Sequence, residues 1–66
     1  MSIAKILEIT AESNQSFDDA IRQGVKQAGQ TVRNIRSAWI AEQQVTVNND
    51  QVVTYRVHMK VTFVVE

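Results

Sequence analysis

Ile35-Arg36-Ser37-Ala38-Trp39-Ile40-Ala41-Glu42-Gln43-Gln44-Val45-Thr46-Val47, then Asn48-Asn49-Asp50-Gln51, then Val52-Val53-Thr54-Tyr55-Arg56-Val57-His58-Met59-Lys60-Val61-Thr62-Phe63-Val64-Val65 is the stretch that decides the fold. Both long runs alternate with period two and are rich in β-branched and aromatic residues. The polar four-residue cluster between them predicts a turn, and hence a long β-hairpin. With those four residues as the loop, Val47 faces Val52. One side of the hairpin then collects Ala38, Ile40, Val53, Tyr55, Val57, Met59, Val61 and Phe63, and it is almost wholly apolar. The other side pairs Trp39 with Lys60, Ala41 with His58, Gln43 with Arg56 and Val45 with Thr54. A slip of one residue would exchange the two faces, so the register decides everything that follows.

Working outward, Ile3 to Thr10 mixes β-branched and charged residues and predicts a first strand, with Ala11 to Gln15 as the turn after it. Ser16 stands three residues before Asp19, close to a capping box, and Asp18 and Asp19 suit the positive end of a helix dipole. Phe17, Ala20, Ile21, Val25, Ala28 and Val32 fall at helical spacing and define one apolar stripe. Gly24 lies on that helix, where the missing side chain suits a close approach to the sheet, and Gly29 lies near its end. The expected class is α+β: a β-α-β-β chain whose three-stranded antiparallel-type sheet packs on one helix, as one domain over residues 1–66.

A chain of 66 residues without cysteine has a small core and no disulfide to support it. Strands of thirteen or fourteen residues are long, and their open edges invite pairing with other chains. Self-association is the economical answer. Seven basic and seven acidic side chains balance, so no global field draws the protein to nucleic acid or a membrane. Neither a membrane-spanning apolar run nor the apolar stretch of a secretion signal is present in the sequence, and the expected location is cytoplasmic.

No nucleophile–base pair, phosphate-binding glycine loop or metal-ligand spacing is present, so an enzyme is not expected. His58 stands alone, and its ordinary reading is a strand residue on the polar face. Trp39, the one tryptophan, reads either as an anchor between subunits or as a flat wall for an aromatic ligand. Arg56 and Lys60 share its face and could meet an anionic group. Glu42, Gln43 and Gln44, with Asn48 to Asp50, supply oxygen donors suited to a hard cation, although ordinary turn chemistry accounts for the latter.

Several segments together carry a family resemblance: Gln30-Thr31-Val32-Arg33-Asn34-Ile35-Arg36, the strand from Ser37 to Val47, Thr54 to Phe63, and the helix start Ser-Phe-Asp-Asp-Ala-Ile. In order and spacing they resemble the dodecins, over nearly the whole chain. The resemblance implies a hollow homododecamer that binds and stores a small ligand, many dodecins holding flavins (riboflavin or its phosphate) in pairs between subunits, and no catalysis. It marks Ser37, Trp39, Glu42, Gln43, Arg56 and His58 as the candidate pocket face. In flavin-binding dodecins a tryptophan stacks on the flavin at the position of Ser37, and a glutamine occupies that of Arg56. An arginine has donors but no acceptor. The Thr-Tyr-Arg segment and the Glu42-Gln43 pair are similar to the calcium-type branch, which implies a bound cation, or a purely structural oligomer, rather than flavin.

Overall fold

The computed structural model describes residues 3–65. Its elements are β1 (Ile3–Ser13), α1 (Phe17–Ala28), β2 (Ile35–Asn48) and β3 (Gln51–Val65), in sheet order β1-β3-β2 with both pairings antiparallel. The β-α-β-β architecture is the expected one. The molecule is a slat of 52 × 19 × 14 Å, its length set by β3.

β1 runs three residues beyond the expected end at Thr10. Ala11, Glu12 and Ser13, expected in the turn, pair with Val57, Arg56 and Tyr55. Alanine, glutamate and serine are weak strand formers, and the partner strand overrides that preference. The turn closes on a hydrogen-bond relay instead. Ser13, buried at the end of β1, donates from Oγ to Asp19 Oδ2 at 2.6 Å and accepts from the backbone N–H of Gln15 at 2.9 Å and, at 3.4 Å, of Ser16. Ser16 Oγ accepts from the N–H of Asp19 at 2.9 Å. One arm of the capping box, Ser16 to the N–H of Asp19, is made; the return arm is replaced by Ser13, which accepts from the N–H of Ser16 and donates to Asp19.

The helix ends at Ala28, capped by Gly29, so Val32 of the expected stripe lies past it. Ala20, Gly24 and Ala28 are its buried positions. A side chain at Gly24 would put its first carbon 2.5 Å from Met59 Cε and 3.0 Å from Ala11 Cβ. Glycine is what lets the helix lie this close to the sheet. Val57, Met59 and Val61 on β3 complete the fully buried core, with Ile9, Ala11, Phe17, Ile21, Val25, Ile35, Ala38 and Ile40 packed around it. Phe63 shares the face but is only half-buried, because the helix stops short of it. Met59 holds the centre instead.

The hairpin register departs from the simple one. Val47 faces Val52 and Trp39 faces Lys60 as expected, but Ala41, Arg36 and Val53 have no cross-strand partner. Each is the extra residue of a bulge. Between the bulges at Ala41 and Val53 the pairing moves by one: Glu42 faces His58, Gln44 faces Arg56, Val45 faces Tyr55 and Thr46 faces Thr54. The loop is two residues, Asn49 and Asp50, both at positive φ (52° and 61°), the conformation that lets a two-residue turn follow the strand twist.

Candidate functional site

Antiparallel partners share a face, so the register lays out the sheet side away from the helix row by row. Glu12, Arg56 and Gln44 form one row; Thr10, His58 and Glu42 the next; then Glu8, Lys60 and Trp39; then Ile6, Thr62 and Ser37. The bulge at Ala41 brings Glu42 and Gln44 onto this face and turns Gln43 to the row of Val57. This corrects the expected pairings of Ala41 with His58, Gln43 with Arg56 and Val45 with Thr54.

Two groups on this face, Arg56 and His58, are partnered by carboxylates of β1. Arg56 donates from Nε and Nη2 to Glu12 Oε1 at 2.9 and 2.6 Å. The imidazole of His58 sits 3.1 Å from Thr10 Oγ1 through Nδ1 and 3.3 Å from Glu8 Oε1 through Nε2. His58, expected to stand alone, thus has partners on β1 and faces Glu42 on β2. These groups are partly solvated, so each pair contributes little to stability, about 0–1 kcal/mol.

Thr10, Glu42, Gln43, Gln44, Arg56 and His58 line a groove of about 260 Å³. Four of the six residues expected at the pocket therefore meet. Ser37 and Trp39 do not join them. Counted along β3 from His58, the nearer groove residue, their rows are four and two residues away, about 13 and 7 Å at strand rise. Trp39 stands 72% exposed on the open face. Thr10 is the groove residue that sequence reasoning missed, while Gln44 was read as an oxygen donor but not placed beside Arg56. Glu8, Thr10 and Glu12 alternate at period two, which was the available signal for Thr10; Gln44 depended on an unforeseen bulge. Among the described residues no three His, Asp or Glu side chains converge as a metal centre, and no helix is long and apolar enough to cross a membrane.

The family model for dodecin matches residues 3–66. Calcium dodecin from Mycobacterium tuberculosis is 33% identical over 63 residues, covering 96% of this chain and 89% of the relative. Among solved structures, a dodecin from Streptomyces davaonensis superposes with a TM-score of 0.93 at 29% identity, over 98% of this chain and 96% of its own. The calcium-chelating calcium dodecin of M. tuberculosis, described with a novel calcium-binding site, superposes with a TM-score of 0.82 at 31% identity, over 92% and 87%. Strand order, helix placement and sequence agree along the whole described length, and the chain belongs to the dodecin family.

Proposed function

We propose that this chain is a non-enzymatic, cytoplasmic binding and storage protein that works as a homo-oligomer of the dodecamer type and holds a small polar ligand or cation in the groove on its open face. The observation that carries the reading is the state of Arg56. Its guanidinium is committed to Glu12, and the rows around it carry the oxygens of Thr10, Glu42 and Gln44 on the same face. Oxygen donors of this kind suit a hard cation such as calcium, and the similarity to a calcium dodecin supports that choice. Since no three acidic or histidine groups converge among the described residues, a cation here takes further ligands from a second copy or from solvent.

Flavin is disfavoured by the same residues. Ser37 has no ring to stack, which forgoes about 0.5–1.5 kcal/mol, and Arg56 leaves a donor–acceptor edge unmatched at about 1–3 kcal/mol. Together these amount to roughly a tenfold to thousandfold loss. Titration of Trp39 fluorescence with riboflavin should give affinity no tighter than about micromolar, and calorimetry with calcium should give saturable heat that Glu42→Gln weakens. Nanomolar riboflavin binding that disappears in Trp39→Ala would overturn the cation reading and place the stacking role on Trp39. The closed ion pairs of the open face favour one other reading, an assembly with a purely structural role; absence of heat with calcium and of quenching with riboflavin would select it.

A further inference from the structure

On the open face the ion-pair partners of β3 lie on one side. Arg56 bonds Glu12 and His58 bonds Glu8, both carboxylates of β1. Glu42, the carboxylate of β2, lines the groove beside Arg56. Among the described residues it has no ion pair, although Arg56 and Lys60 each stand one row away.

Register accounts for the choice. Arg56 faces Glu12 directly across the β1–β3 ladder, whereas the bulge at Ala41 sets Glu42 opposite His58 and so diagonal to Arg56. Directly opposite residues of an antiparallel pair have Cβ atoms about 4.5–5.5 Å apart. Diagonal neighbours stand about 7–8 Å apart, a span that an arginine still crosses. Arg56 therefore has two carboxylates within reach and takes the nearer. Its Nε and Nη2 both donate to one oxygen of Glu12, at 2.9 and 2.6 Å. A guanidinium held by two charge-assisted bonds has a fixed direction, here toward β1 and away from Glu42.

We propose that Glu12 is a positioning residue of the groove: it holds Arg56 on the β1 side, so that Glu42 keeps a free carboxylate for a cation. The inference rests on the cation reading above and names the residue that keeps the site open. Glu12 is not among the residues that line the groove, so it acts through Arg56 and not as a ligand. Without it the guanidinium crosses to Glu42. The groove then loses its anionic donor and gains a positive charge that nothing neutralises. One unit charge about 6 Å from a divalent ion weakens its binding about tenfold even at the dielectric of water.

Calorimetry of the full chain with calcium chloride tests this in two variants, Glu12→Gln and Glu12→Gln/Arg56→Gln. The ion pair is partly exposed, so its removal leaves folding intact. Glu12→Gln should bind calcium about tenfold more weakly than the unmodified protein. Removing Arg56 as well should recover most of that loss, because the competitor for Glu42 has gone. Unchanged affinity in the single variant overturns the inference. So does a double variant as weak as the single one, since Glu12 would then be a ligand or a structural support. A crystal structure of calcium-free Glu12→Gln gives a readout independent of the cation. The Arg56 guanidinium should lie within about 4 Å of the Glu42 carboxylate, and a guanidinium turned to solvent instead overturns the inference. Absence of calcium heat in the unmodified protein sinks the cation reading, and the position of Arg56 in that crystal structure then decides the role of Glu12 alone.

Discussion

Met59 and Val53 lie six residues apart on the same strand, yet Met59 is fully buried and Val53 is 46% exposed. Both are apolar, and both were expected on the helix-facing side. The difference is length. A helix of 12 residues spans about 18 Å, while β3 has 15 residues and spans about 50 Å. The helix covers one end of the hairpin and leaves Val45, Val47, Val52 and Val53 projecting past it. Residue type selects the face of a strand; what lies over that face decides its burial.

The largest effect that tests this contrast is at the covered end. Met59→Ala should lower stability by about 2–5 kcal/mol, read as an earlier urea midpoint with an unchanged slope. A loss below 1 kcal/mol would mean that the helix does not seat on Met59 as described. Gly24→Ala comes next. The added methyl meets Met59 Cε and Ala11 Cβ, an overpacking cost of about 1–3 kcal/mol offset by up to about 1 kcal/mol of helix preference. The double variant Gly24→Ala/Met59→Ala sharpens the point, because the new methyl enters the space Met59 vacates. Its loss should be smaller than the two single losses added together. The smallest effect belongs to the overhang: Val53→Thr should stay within about 0.5 kcal/mol. A loss there that matched Met59→Ala would show the hairpin tip to be packed in the assembly as tightly as the core.

The same contrast explains what the sequence disclosed. Helix, strands and turn were legible because apolar positions at periods of 3.6 and 2 mark them, and Ser16 and Asp19 announce a helix start. The bulges were not. Between Ile40 and Val45 the run Ala41-Glu42-Gln43-Gln44 has no large apolar residue to show where alternation skips, so a one-residue shift leaves no trace. Val53 sits among other valines, which hide it equally well. Candidate pocket residues inherited that gap. Glu42, Gln43, Arg56 and His58 line one groove, while Trp39 lies one row and Ser37 two rows beyond His58, a spacing that only the strand order and register reveal.

The order β1-β3-β2 also has a consequence in time. The central strand is the last to be synthesised, and neither β1 nor β2 has a neighbour within the chain until β3 emerges. Ile3 must find Val65 and Ser13 must find Tyr55 across nearly the whole sequence, so β1 joins by long-range pairing alone, whereas β2 and β3 close locally across their two-residue turn. Contacts of such long range make folding slow for a protein of this size. During that interval a nascent chain presents two unpaired strands, each awaiting the same third one.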